Sequence, residues 1–351
     1  LLATGLYLTG RLVVPQIRCF GHAVAIAAGR RGRDGGKGGF SHVEALSSSL
    51  AATLGVGSIA GVATAIHLGG PGAVFWLWVS GFLGMALKLT EVSLASQHRS
   101  VQPDGGVVGG PMFTIVNALG SRWKPLAYVF AAFALLVATF GTGSTIQSNT
   151  VAVNLESAFG VPRWVAGIAF AALLAPAIFA GIGRLARVTT IVVPCMAVVY
   201  LACALVVVAM NASALPGVFR LIIDSAFGPA AAVGGFVGTA ATAAVRYGLA
   251  RGVFANEAGL GSAPIIHSAA RSDTPLRAGL VAMLGPFVDT RVVCTLTAMV
   301  ILGTGVWKDK IQATIPLSHV RIMNGPAETR EQREDPDLLL SHRRRLVGPR
   351  K

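Results

Sequence analysis

The chain has 351 residues and a formal net charge of +14, yet only 13% of its residues are charged and 53% are hydrophobic. A soluble domain carries about 25% charged residues, so the composition excludes an ordinary soluble globular domain. The mean hydropathy of +0.66 points the same way. The excess of Lys and Arg does not form a nucleic-acid face; these residues fall mostly between apolar stretches, as the loop charges of membrane proteins do. No Asp, Glu, Lys or Arg occurs in Ala45–Leu87, Pro125–Leu155, Trp164–Gly183, Val188–Phe219 or Ser225–Val245. A helix needs roughly 20 apolar residues to cross the hydrocarbon core, so each run is long enough for a span and the first is long enough for two.

In chain order, Leu1–Val14 reads as the remnant of a first apolar helix. Arg30, Arg31, Arg33 and Lys37 follow in a Gly-rich loop. The next span, Ser41 to about His67, is interrupted at Gly55-Val56-Gly57-Ser58 and ends at the turn Gly69-Gly70-Pro71-Gly72. Further spans are expected at about Ala73–Ser96, Pro125–Leu155, Trp164–Ile182, Val188–Met210, Gly228–Tyr247 and Ala278–Val306. The reading therefore has three parts: residues 1–40 (helix remnant and basic loop), 41–306 (the transmembrane domain) and 307–351 (a basic tail expected to be disordered). The chain starts at Leu1 and shows no charged segment followed by a cleavage site, so it is expected to be a fragment without a signal peptide. Lys and Arg prefer the cytoplasmic side. That rule places the Arg30–Lys37 loop, the loop with Arg99, Arg122 and Lys124, the turn with Arg184 and Arg187, and the segment Arg246–Arg277 inside, in a multi-pass membrane protein.

Cys19, Cys195, Cys203 and Cys294 have no metal or disulfide spacing. His67, His98 and His267 are not at ligand spacing either. Gly55, Gly57 and Gly61 are not a GxGxxG, and no βαβ unit surrounds them, which removes a dinucleotide-binding enzyme. Two spans instead share a glycine break, one at Gly55-Val56-Gly57 and one at Gly234-Gly235 with Gly238 behind it. Such breaks free backbone groups that lipid cannot satisfy, and glycine-interrupted spans point to a transporter binding site. Gly55, Gly57 and Gly234 are assigned to the site; Gly61, Gly81 and Gly84 are assigned to close helix packing. Asp289 stands in an otherwise apolar span, where a carboxylate is a functional hypothesis by default, either as a cation ligand or as the partner of a basic residue on another helix.

Five stretches carry a family resemblance: GVGSIAGVATAIHLGGPGAVFWLWVSGFLG (Gly55–Gly84), GGPM (Gly109–Met112), the Gln-x-Asn at Gln147 and Asn149, RGVFANEAGLGSAPIIHSAA (Arg251–Ala270) and FVDTRVVCTLTAMVILGTG (Phe287–Gly305). In this order they resemble the alanine/glycine:cation symporter family. Val56 and Ser58 stand where the family pattern has Thr and Asn, and Arg291 stands where it has an apolar residue. The resemblance implies an all-α integral membrane protein of the amino-acid/polyamine/organocation type. It implies inverted five-plus-five helix repeats with discontinuous first and sixth core helices. It also implies symport of a small neutral amino acid, alanine or glycine, with sodium or a proton, across a cell (inner) membrane. The family continues with further helices beyond Trp307, so the chain reads as C-terminally truncated. The alternative to a working symporter is then a transport-incompetent membrane remnant.

That resemblance gives the break its chemistry. The half-helix starting near Ser58 offers free amides and a positive dipole end to a substrate carboxylate. A hard cation takes oxygen ligands, and the carbonyls near Ala51, Thr53 and Leu54, the hydroxyls of Ser58 and Thr239, and Asp289 could supply them. Substrate contacts are expected from Gly55, Gly57, Ser58, Gln147 (the family's Gln), Gly234 and Phe236. The expected partners are the amino acid, sodium and the bilayer, with no nucleic acid, no enzymatic cofactor and no metal beyond the coupling cation. Glu257 is read as a structural anchor in a cytoplasmic segment that closes the inner gate.

Overall fold

The computed structural model describes residues 1–30, 38–103, 106–140, 142–179, 182–227 and 237–308, with backbone alone at 140, 142–144, 177, 182 and 237–240. Apart from one hairpin and a few short helical turns, the described chain is α-helical. The helices are α1 (Leu2–Arg11), α2 (Pro15–Arg18), α3 (Phe20–Ala27), α4 (His42–Thr53), α5 (Ala60–Gly69), α6 (Ala73–Gln97), α7 (Pro111–Leu119), α8 (Lys124–Phe140), α9 (Thr142–Phe159), α10 (Arg163–Phe179), α11 (Ile182–Met210), α12 (Leu215–Phe227), α13 (Val237–Asn256), α14 (Ser262–Ser268), α15 (Pro275–Pro286) and α16 (Cys294–Gly303). A π-helical segment, Phe287–Val293, joins α15 to α16. The hairpin pairs β1 (Ser100–Val101) with β2 (Val107–Val108), Ser100 opposite Val108.

The interior is built around α6, whose 25 residues reach about 38 Å. It packs most extensively against α15 and α13, while α4 lies along α11. Two apolar clusters fill these contacts. One joins Val62, Ile66, Leu77, Ile222 and Met299; the other joins Ala23, Met85, Leu89, Val281 and Met283. Close approach depends on small residues, as in helix pairs in lipid. A Cβ on Gly81 would lie 2.6 Å from Thr290 Cγ2, and one on Gly252 would lie 2.7 Å from Ser80 Cβ. Neither position has room for a side chain.

The first half of the break has a strong start. Ser41 and Glu44 form a capping box: the Glu44 N–H donates to Ser41 Oγ (3.2 Å) and the Ser41 N–H to Glu44 Oε2 (2.7 Å). Just before this cap, the backbone is tied to the loop after α14. The Gly39 N–H donates to the Ala269 carbonyl (3.0 Å) and the Arg271 N–H to the Phe40 carbonyl (2.7 Å). Arg99 braces the same loop through the carbonyls of Ser268 (3.2 Å), Ala270 (2.9 Å) and Ser272 (3.2 Å).

Polarity is distributed as in a membrane protein. On the outer faces of α10 and α11, Phe179 is 89% and Ile191 71% exposed, whereas Lys88, His267 and Asp289 are fully buried. Among the described residues three helical stretches are long and apolar enough to cross a membrane: Ala73–Gln97, Gly183–Met210 and Pro275–Gly303.

Several sequence expectations change. Two helices, α2 and α3, follow α1 where the sequence marked no element, and most of the basic loop expected at Arg30–Lys37 lies outside the described residues. Arg184 and Arg187 sit in the opening turns of α11, not in a turn between spans. Helix α13 continues to Asn256, so Arg246 and Arg251 are helical and not part of a loop. Basic side chains at the end of a span look the same in sequence whether the backbone there is helix or loop. The span expected over Pro125–Leu155 is helical on both sides of residue 141, which lies outside the described residues.

Candidate functional site

The helix begun at Ser41 stops at Thr53, and a new one begins at Ala60. Between them Leu54 is extended, and a tight turn brings the N–H groups of Ser58 (3.2 Å) and Ile59 (3.1 Å) onto the Gly55 carbonyl. The Gly61 N–H reaches the Val56 carbonyl at 2.8 Å. The turn puts Ser58 in the interior, fully buried. Its hydroxyl meets two acceptors, Asp289 Oδ1 and, at 3.2 Å, the Thr53 carbonyl. One hydroxyl proton cannot serve both at once, so an oxygen lone pair remains on the other side.

Asp289 comes from the π-helical segment after Pro286. A π stretch inserts a residue and re-aims side chains, and such segments recur at functional sites. Thr290 Oγ1 donates to Asp289 Oδ2 at 3.2 Å. About two turns on, Thr297 Oγ1 donates to the Val293 carbonyl (2.8 Å) or the Ser58 carbonyl (3.0 Å), and it lies 2.5 Å from the Tyr200 hydroxyl of α11. The result is a buried group of oxygens on α4, the break after it and the π segment: Thr53 O, Ser58 Oγ, Thr290 Oγ1 and the Asp289 carboxylate. Oxygen-only donors with one carboxylate suit a hard cation.

The structure brings Thr53, Ser58 and Asp289 together and sets Gln147 beside the break. Gln147 Nε2 lies 3.4 Å from the Ala52 carbonyl, and the amide is 3.9 Å from the position of a Gly55 Cβ. A Cβ on Gly57 would lie 3.6 Å from the Phe254 ring of α13. The side chains of Ala51 and Leu54 pack in an apolar cluster with Leu50, Val193 and Val293. Gly234 and Phe236 lie outside the described residues; Thr239 lies on α13, its side chain undescribed.

Sequence reasoning missed Lys88 and Glu91 on α6 and the hydroxyl pair Tyr200–Thr297. Lys88 is fully buried, and the carboxylates whose charges act on it are Glu91, Glu257 and Asp289. Glu91 Oε2 accepts from the Gly259 N–H (3.1 Å), and Glu257 Oε2 from Ser262 Oγ (2.7 Å). The signal was present: two charges inside an apolar helix are a functional hypothesis on the same ground as Asp289. Lys88 was passed over because it bounds the charge-free run ending at Leu87. Between the spans, His267 on α14 has its pKa pushed down to about 3 by burial, then by the charges of Lys88 and His42.

A buried carboxylate and a broken helix inside an all-helical body with apolar outer faces define a membrane transporter. The chain belongs to the sodium:alanine symporter family, whose model matches residues 1–324. That match extends past Trp307, beyond the motifs visible by eye. The chain is 44% identical over 307 residues to the sodium/alanine symporter AgcS of Methanococcus maripaludis, covering 87% of this chain and 67% of that protein. It is also 44% identical over 306 residues to an uncharacterized transporter of Haemophilus influenzae, covering 87% of this chain and 66% of the relative. A probable sodium/glutamine symporter, GlnT of Bacillus subtilis, is 39% identical over 305 residues, covering 86% of this chain and 61% of the relative. The chain thus spans about two thirds of the length of the curated relatives it matches.

Proposed function

We propose that the chain carries sodium-coupled symport of a small neutral amino acid, alanine or glycine, across a cell membrane it crosses several times. The observation that carries this reading is the oxygen cluster at the break, where Ser58 joins the Thr53 carbonyl to the Asp289 carboxylate. Sodium sits among Thr53 O, Ser58 Oγ and Asp289. The amino acid lies beside it, its carboxylate toward the amides at the start of α5 and Gln147 at its edge. The cation cancels the buried negative charge, so substrate and sodium stabilise each other's binding, and coupling of this kind is reciprocal. Alternating access in an inverted five-plus-five repeat then moves both. The relatives' names divide between alanine and glutamine. The family description and the name of AgcS support alanine, and the reading assigns this chain the smaller substrate.

The test is uptake of labelled alanine by the purified chain in liposomes, under an inward sodium gradient, a proton gradient or neither. Sodium-driven uptake, competed by glycine and not by glutamine, is the expected result. Uptake driven only by protons would replace sodium with a proton on Asp289. Sodium-dependent binding without uptake would fit a chain that inserts and binds but does not complete the cycle. No sodium-dependent binding at all would end this reading.

A further inference from the structure

Lys88 is the largest fully buried side chain of the described residues, and its ammonium makes no hydrogen bond among them. An ammonium has three donors, and leaving it buried without partners is costly. Such a group persists in a membrane core when it has work to do there. Its surroundings are unequal. On its own helix, Glu91 stands three residues on, at the spacing that shares a helix face. Glu91 keeps one oxygen, Oε1, without a hydrogen-bond partner among the described residues. Across the packing interface, Gly285 of α15 leaves room for the lysine stem: a Cβ there would lie 3.6 Å from Nζ and 3.9 Å from Cδ. Gly285 precedes Asp289 by four residues, about one helical turn. The head of Lys88 therefore sits roughly one turn from the carboxylate of the proposed cation site. The charged groups that act on it are Glu91 on α6, Glu257 at the end of α13 and Asp289 on the π segment, while Lys88 itself acts on His267 of α14.

We propose that Lys88 is a positioning residue of the cation site: its ammonium turns toward Asp289 when the site is empty and toward Glu91 and Glu257 when sodium arrives. A flexible four-carbon stem carrying a compact point charge suits this exchange. The ammonium and sodium compete for one carboxylate, so the lysine sets how much sodium is needed and keeps the carboxylate aimed in its absence. The displaced ammonium arrives at Glu91 and Glu257, next to the turn Ala258–Gly261 that leads into α14. Sodium occupancy is thereby passed to the segment tied to the start of α4.

This inference rests on the reading of Asp289 as the sodium ligand, and one titration separates the two. Sodium-dependent binding of labelled alanine to the purified chain is measured for Lys88→Met, Lys88→Arg, Glu91→Gln and Asp289→Asn. Lys88→Met removes the competitor, and the sodium half-saturation falls by at least about fivefold. Glu91→Gln removes the resting place of the ammonium, and the half-saturation rises by a similar factor. Lys88→Arg, with the charge retained, stays closer to the parent chain than Lys88→Met does. A purely structural role for Lys88 would shift both substitutions in the same direction or change only the amount of folded protein. Should Lys88→Met not fold, Glu91→Gln alone decides by its direction. An unchanged half-saturation in Glu91→Gln, with Asp289→Asn losing its sodium response, overturns the role of Lys88 and leaves the cation site standing. An unchanged sodium response in Asp289→Asn overturns the site itself.

Discussion

Helices α6 and α11 have similar length and opposite surroundings. Within the apolar window of each, 56% of α6 is buried and only 11% of α11. Yet α11 is the more apolar of the two, and α6 carries Lys88 and Glu91. In water the more apolar helix would take the interior. Here lipid solvates α11, and the polar groups have gone inward, because in hydrocarbon only the protein can satisfy them. In such a molecule burial follows polarity, and the most apolar helix takes the outer face.

The sharpest break of that comparison is Asp289→Asn. It removes the one charge in the oxygen cluster while keeping its shape, and sodium-dependent alanine binding is expected to disappear. A parallel loss of folded protein on size-exclusion chromatography would point to a structural carboxylate instead. Next comes Ile191→Arg on the lipid face of α11, with an expected cost of roughly 2.5–3.5 kcal/mol if the position is near mid-membrane. It is read as lost yield of inserted protein, whereas Ile191→Ala should leave yield unchanged. On the buried side, Gly81→Val forces a side chain onto Thr290, and overpacking of this kind costs about 1–3 kcal/mol. Its signature is a lower melting temperature in detergent, with a weaker sodium response because Thr290 donates to Asp289. The effect at His267 shows only on acidification. Its pKa is lowered to about 3 in the folded chain, and an unfolded histidine titrates near 6.5. Below about pH 6.5 the unfolded state takes up a proton that the folded state refuses until about pH 3, so stability falls as pH falls through that window. The slope is at most about 1.4 kcal/mol per pH unit, and His267→Gln should flatten the melting temperature between pH 6 and pH 4. An equal slope in both proteins assigns the acid sensitivity to other groups.

The sequence makes legible what is local. The helix break shows in Gly55-Val56-Gly57, the boundaries of α6 show in Gly72 and the polar residues after Gln97, and Asp289 shows as a charge in an apolar run. What it hides is pairing across the chain. Ser58 and Asp289 are 231 positions apart, and nothing at either position announces the other. Thr297 and Tyr200 read as ordinary helix residues until their hydroxyls meet. Lys88 was legible in kind, as an intramembrane charge, and was missed because it stood at the edge of a run and not in its middle. The π segment is invisible in composition, since inserting a residue into a helix changes register and leaves hydrophobicity alone.

The two backbone bonds that join Gly39 and Phe40 to the loop after α14 make a reporter of how firmly α4 is held to that loop. Any motion that swings the first half of the broken helix away from that loop must open both bonds. The Gly39 and Arg271 amides then become accessible to solvent deuterium, and the capping box at Ser41, which is local to α4, stays closed. Exchange at those two amides, compared with exchange at Glu44, counts separations of α4 from that loop in the unlabelled protein, with no substrate flux required.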